Sequence, residues 1–272
     1  MLGSRASLET LRQQITAIET NPAFRVNEDV SSSTGLLATP RGNLHEVFAD
    51  TLLNTGAALG FALAQAKSLL GPGRPAILYM QLQSDALETG FPYEVGLKHF
   101  GLTTEQVVFV RPQTITELLW AIEEAIACRA VAAVVADIVH AHKALDFTAS
   151  RRMSLRAAAS GASVLLVRYA RDREASAARF RWKVVPELSG SPPFDERAPG
   201  PPRWRVLLEK GSLGQSRKAM PGGEEYLVDW SKNGFVVADI ESRRAAATGS
   251  PRRPPLSHAA HAALGDRFSE AG

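Results

Sequence analysis

Val131-Ala-Ala-Val-Val-Ala-Asp137 is an apolar run of strand length that closes on a single carboxylate. Asp146-Phe-Thr-Ala-Ser-Arg-Arg-Met-Ser-Leu-Arg-Ala-Ala-Ala-Ser-Gly161 follows and reads as a helix, and Val164-Leu-Leu-Val167 supplies a second short apolar run. Strand, helix and strand in that order make a right-handed crossover unit whose strands are covered on both faces. An acid at the carboxyl end of such a strand sits where open α/β sheets place their ligand sites. In a P-loop ATPase that acid would hold magnesium. The function of the chain turns on whether the rest of an ATPase surrounds Asp137.

Upstream of this unit the same alternation recurs. Leu44-His-Glu-Val-Phe48 reads as a short alternating strand, and Ala57 to Leu70 is apolar nearly all round, the mark of a buried helix. Ala76-Ile-Leu-Tyr-Met80 and Val107-Val-Phe-Val110 read as strands, with a helix over Pro92 to Phe100 between them. Thr114 and Glu117 have the spacing of a capping box. They open a helix whose buried face is Ile115, Leu118, Leu119, Ile122 and Ile126, with Glu117, Glu123 and Glu124 outside. Repeated strand–helix alternation with short connections predicts a mainly parallel sheet sandwiched by helices.

Downstream of Val167 the pattern changes. Phe180-Arg-Trp-Lys-Val-Val185 and Trp204-Arg-Val-Leu-Leu-Glu209 alternate with period two, separated by a proline-rich segment, and Glu225 to Trp230 with Gly234 to Asp239 forms a hairpin around Ser-Lys-Asn. These strands extend the same sheet in antiparallel fashion. Three regions result: a helix and loop over 1–43, with Leu8, Leu11, Ile15 and Ile18 on one helix face; a core over 44–240; and an arginine-, alanine- and proline-rich tail over 241–272 expected to be disordered.

The bulk composition excludes several classes. An apolar fraction of 45% over 272 residues supports a packed core. A net charge of +3 is compatible with a nucleic-acid contact without demanding one. The single Cys128 rules out an internal disulfide and a multi-cysteine metal site, and its place in an amphipathic helix predicts a buried, inert thiol. There is no apolar stretch of signal or membrane-span length, which predicts a soluble cytoplasmic protein.

The strongest signal is an absence. A working P-loop needs Gly-x-x-x-x-Gly-Lys-Ser/Thr, because the glycines let backbone N–H groups wrap the phosphates and the lysine neutralises their charge. The corresponding slot reads Phe48-Ala-Asp-Thr-Leu-Leu-Asn-Thr-Gly-Ala-Ala58, with one glycine, no lysine, and Asp50 where phosphate would sit.

The element order, with Asp137 and the closing antiparallel strands, resembles the RecA core. Leu44-His-Glu-Val47, Ala144-Leu-Asp-Phe-Thr-Ala-Ser-Arg-Arg152, Pro193-Phe-Asp-Glu-Arg-Ala-Pro-Gly200 and Pro202-Arg-Trp-Arg205 resemble the alphaproteobacterial ImuA family. These are RecA-like accessory proteins of SOS-induced mutagenesis. The resemblance implies an α/β RecA-like fold with a degenerate P-loop, no cofactor and no catalytic residue. It implies ImuB and an error-prone alpha-type DNA polymerase III subunit as partners, with RecA a further one. RecA proteins carry a catalytic Glu just after the second core strand; Tyr79-Met-Gln-Leu-Gln-Ser84 places Gln83 there, and an amide is no general base. Asp50, Gln83 and Asp137 are thus expected as remnants of a nucleotide site, with Asp137 solvated or capping the next turn. His140 and His142 are expected on the surface and not as metal ligands.

Two basic groups are candidates for a partner or DNA. Arg151, Arg152 and Arg156 share a helix, the last two on one face. Arg203 and Arg205, with Arg179 and Arg181, interleave with Phe180, Trp182 and Trp204; such strands either stack and neutralise single-stranded DNA or bury the aromatics and solvate the arginines. Two other classes stay open: a SulA-type inhibitor of cell division, which FtsZ binding would reveal, and an atypical RecA-like NTPase.

Overall fold

Eight consecutive buried residues, Val131–Ile138, form strand β4, and their burial on both faces puts this strand inside a sheet covered on both sides. The computed structural model describes residues 37–190, 198–213, 224–231 and 234–238, all within one compact unit, 1–238. The N-terminal helix read over residues 7–20, most of the proline-rich segment and the tail lie outside the described residues.

The described strands are β1 (Leu44–Ala49), β2 (Ala76–Gln81), β3 (Val107–Val110), β4, β5 (Ser163–Tyr169), β6 (Phe180–Glu187), β7 (Arg203–Lys210), β8 (Glu224–Ser231) and β9 (Gly234–Val237). They form one nine-stranded sheet in the order β3-β2-β4-β5-β1-β6-β7-β8-β9. Pairing is parallel from β3 through to β6 and antiparallel from β6 to β9. The α/β class and the antiparallel extension of the same sheet are therefore as the sequence predicts.

Helices α1 (Thr55–Ser68), α2 (Gln83–Thr89), α3 (Glu94–His99), α4 (Ile115–Ala127) and α5 (Phe147–Ser160) complete the fold. Strand alternation divides the interior. Val47, Tyr79, Val135 and Val167 face α1 and the aromatic group Phe61, Trp182, Trp204, Trp230 and Phe235. Leu44, Met80, Val134 and Leu166 face α4 and α5. No helix among the described residues is long and apolar enough to cross a membrane.

Four local readings are corrected. The first concerns β1, which is not half-wet: it lies between β5 and β6, so His45 and Glu46 are buried along with its apolar residues. Trp182 Nε1–H donates to His45 Nδ1 at 3.3 Å, and burial lowers the imidazole to about 3, so it is neutral. Glu46 accepts from Ser176 Oγ at 2.6 Å and pairs with Arg181 at 2.8 Å and Arg168 at 3.5 Å. One buried carboxylate thus ties β1 to both neighbouring strands. The second is α2, seven residues with little apolar periodicity, which the sequence did not signal. The third is Cys128, an exposed residue capping the end of α4 and not a buried one. The last is Glu123, which is buried between α4 and α5 instead of facing solvent, because α5 brings arginines against it.

The ends of α5 are fixed by its flanking residues. Asp146 Oδ1 accepts from the Ala149 N–H at 2.7 Å, and Gly161 takes the left-handed conformation, φ 82°, that closes the helix. Replacing Asp146 by Ala is expected to cost about 1 kcal/mol of stability in chemical denaturation. An unchanged midpoint would show that water replaces the cap without loss.

Candidate functional site at the carboxyl ends of the parallel strands

Parallel register brings four side chains together. Asp137, one residue from the end of β4, pairs in register with Gln81 at the end of β2 and with Val167 of β5. Tyr79 lies two residues before Gln81 on the same face, and Tyr169 ends β5. The Tyr79 hydroxyl donates to Asp137 Oδ2 at 3.0 Å, the Tyr169 hydroxyl to Oδ1 at 2.8 Å, and Gln81 Nε2 reaches Oδ2 at 3.5 Å. Burial pushes the Asp137 carboxyl up to about 6; the two tyrosine hydrogen bonds oppose the shift and the nearby Asp85 charge adds to it. Burial together with the Asp137 charge pushes both tyrosines well above their ordinary value, so they remain donors.

Asp85, in the first turn of α2, is also buried. Its Oδ2 accepts the Val139 N–H at 3.1 Å and its Oδ1 the Ser84 hydroxyl at 3.2 Å. Among the described residues no lysine, arginine or histidine forms an ion pair with Asp85 or Asp137. Asp137 is therefore neither solvated nor a turn cap. Gln83 lies just past β2, exposed at the start of α2, while Gln81 is the amide that faces the acid. β2 ends at Gln81, so Gln83 falls two residues later, in the first turn of α2.

The turn between β1 and α1 holds Asp50. Its carboxylate meets Lys183 Nζ at 2.6 Å and Arg173 Nη2 at 3.0 Å. Partial burial works against ionisation, but hydrogen bonds from Lys183 and Arg173 prevail and hold the carboxyl below its usual range. Arg173 also binds Glu209 at 3.0 Å and lies 4.2 Å from the centroid of the Phe48 ring. The cations nearest this turn are thus already committed to Asp50. The turn itself is a short 3-10 helix over Leu52–Asn54, with Leu53 almost wholly exposed.

Between α1 and residues 89–100 a pocket of about 330 Å³ opens. Leu59 and Leu63 of α1, the rings of Phe91, Tyr93 and Phe100, and the glycines Gly56, Gly60, Gly90 and Gly96 form its walls, and Asp137 lines it as well. Its lining comes from separate segments whose meeting no local pattern announces.

No family model matches the chain. It is 32% identical over 196 residues to Protein ImuA of Caulobacter vibrioides, in each of two strains, a match that covers 68% of this chain and 74% of that protein. The chain belongs to the ImuA family.

The basic candidates of this ImuA-family chain separate into distinct environments. Arg152 and Arg156 reach the Glu123 carboxylate at 2.7 and 3.3 Å, while Arg151 is exposed with no ion pair among the described residues. Arg203 is buried and forms a two-pronged pair with Asp229 at 2.6 and 2.8 Å. Arg205 is partly exposed and pairs with Glu187 and, at 3.4 Å, with Glu225. Phe180, Trp182 and Trp204 are buried in the core, so these strands offer no aromatic face for stacking bases. His140 is exposed beside Glu88 at 3.3 Å, and the described residues contain no group of three metal-ligating side chains.

These contacts rank the arginine substitutions. Arg151→Glu should change stability by less than about 0.5 kcal/mol. Arg152→Glu with Arg156→Glu leaves the Glu123 carboxylate without a counter-charge and should cost roughly 1–3 kcal/mol. Equal melting temperatures for the two variants would contradict the pairing.

Asp137 gives a pH signature. Because its carboxyl is raised from 3.8 to about 6, the folded state holds this proton more tightly than the unfolded chain, and stability is lost as pH rises through that window. Asp137→Asn removes the dependence. The stability of the variant relative to the parent should therefore rise by roughly 2–3 kcal/mol between about pH 4 and about pH 7, because each tenfold difference in proton affinity between the two states is worth about 1.4 kcal/mol. A difference that stays flat across this range, measured by urea unfolding, would show that folding leaves the proton affinity of the carboxyl unchanged.

Proposed function

We propose that this ImuA-family chain is a non-catalytic, RecA-like accessory protein of damage-induced mutagenesis in the cytoplasm, working through contacts with other proteins. The observation that supports this reading most is the Asp50 turn. A phosphate cradle needs N–H groups wrapped by glycines and a lysine reaching in. Here the turn carries a carboxylate bound to Arg173 and Lys183, so triphosphate entry requires breaking two ion pairs and bringing like charges together. The amide Gln81 facing Asp137 adds weight, since it takes no proton from a water nucleophile.

The partners this reading carries are ImuB, a catalytically inactive relative of Y-family polymerases, and an error-prone alpha-type DNA polymerase III subunit, with RecA as a further one. Leu53, Leu87, Tyr93 and Val95, each more than half exposed around the carboxyl end of the sheet, favour a protein partner over single-stranded DNA at that end. Arg151 is the basic candidate left open for an acidic partner or a phosphate backbone.

The reading predicts that Mg-ATP gives no binding heat at micromolar concentration with the purified protein, and that the protein pulled from DNA-damaged cells brings down ImuB and the polymerase. Micromolar Mg-ATP binding that disappears in Asp137→Ala would favour an atypical NTPase instead.

A further inference from the structure

The pocket beside Asp137 combines features that select its occupant. Asp85 and Asp137 are buried carboxylates, each about 1% exposed, and neither has a cationic partner among the described residues. The pocket walls are apolar and aromatic, and they lead to Asp137. We propose that this pocket receives the arginine side chain of a partner protein, whose guanidinium pairs with Asp137 while its aliphatic stem lies along the apolar walls. The proposal deepens the reading of the chain as an interaction module and rests on it.

Lone-pair counting supports a two-pronged contact. Each Asp137 oxygen has one close hydroxyl donor, Tyr169 on Oδ1 and Tyr79 on Oδ2, and a carboxylate oxygen accepts two. One acceptor direction per oxygen is left, disregarding the long contact from Gln81, and a guanidinium fork matches that arrangement as an ammonium does not. Aromatic faces favour the same group: the guanidinium of Arg111 already lies 5.2 Å from the centroid of the Phe91 ring. A wholly apolar anchor would leave two buried carboxylates without a counter-charge, whereas an arginine supplies one and still buries its methylene groups.

The groups that face Asp137 set the pH response. Tyr79 of β2 and Tyr169 of β5 stay protonated, Gln81 is neutral, and Asp85 of α2 is a carboxyl. Binding of a cation requires the ionised carboxylate, so affinity falls as pH drops through about 6.

The test uses the full chain and two probes of like shape, N-butylguanidinium and neutral N-butylurea, followed by the amide resonances of Gly56, Gly90 and Gly96. At about pH 8 the guanidinium should bind about tenfold more tightly than the urea, the factor of one charge-assisted contact. Asp137→Asn should abolish that preference, and so should a shift to about pH 5. Gly56→Phe provides a second variant: a Cβ at Gly56 meets no atom within 4 Å, so a side chain has room to start there, and with a ring at the pocket wall neither probe should shift Gly90 or Gly96. Equal affinity for the two probes, no binding of either, or an undiminished preference in Asp137→Asn overturns the proposal. Replacing Arg243, Arg244, Arg252 and Arg253 by Ser in the full chain must leave the guanidinium affinity unchanged. A rise would mean that the chain's own arginines fill the pocket, which overturns assignment to a partner. Titrating the same resonances with Mg-ATP separates the two levels: nucleotide binding with an intact guanidinium preference removes the non-catalytic reading and leaves the arginine site, while the reverse outcome removes the site alone.

Discussion

The Glu46 carboxylate is the constraint on which the sheet depends. It is buried at the centre of β1 and holds Arg168 of β5 on one side and Arg181 of β6 on the other, with the Ser176 hydroxyl completing its shell. An ion in this setting is stabilising only when its partners are in place; removing one partner of a buried pair costs roughly 3–5 kcal/mol. β6 is also where the sheet changes from parallel to antiparallel pairing. The same group of charges therefore joins the parallel part of the sheet to its antiparallel extension. Phe48, two residues on, lies under Arg168, Arg173 and Arg181, and so completes the cover over this junction.

Charge is deployed differently on the two sides of the sheet's carboxyl end. Beside β6 the acids have cations: Asp50 has Lys183 and Arg173, and Glu209 shares Arg173. Beside β2 and β4, Asp85 and Asp137 have only neutral donors among the described residues. On the first side the positive charge is engaged by the chain's own acids. The second is electrically open, and its entrance is apolar.

Much of the architecture was legible because it rests on periodicity. Thr114 and Glu117 announced α4 with its capping box, and Asp146 and Gly161 bracketed α5, since these signals lie within a few residues of what they control. What escaped notice depends on distant segments. Nothing in Leu44-His-Glu-Val47 says that Glu46 will meet Arg168 and Arg181, so a strand with two polar residues reads as half-wet. Glu123 reads as a solvent-facing residue until α5 is laid against it. Asp137 was legible as an acid near a strand's carboxyl end, but its burial by Tyr79 and Tyr169 required the register of three strands. The pocket was not legible at all, because α1 and the segment 89–100 come from separate parts of the chain and face each other only in the folded protein.

The placing of β1 between β5 and β6 has a consequence for how the chain is made. β1 is the first described strand in sequence, yet the residues that neutralise Glu46 follow it by 122 and 135 positions. At a synthesis rate of about 5–20 residues per second, Arg181 emerges roughly 7–27 s after Glu46. Until Arg168 emerges the nascent chain carries a strand with neither neighbour, and until Arg181 follows its carboxylate has only one of its two cations. α1 and the β2–β4 segment can collapse meanwhile, but the centre of the sheet stays open. Final assembly must insert the first described strand between two made more than a hundred residues later, which makes closure of the core a late and highly non-local event.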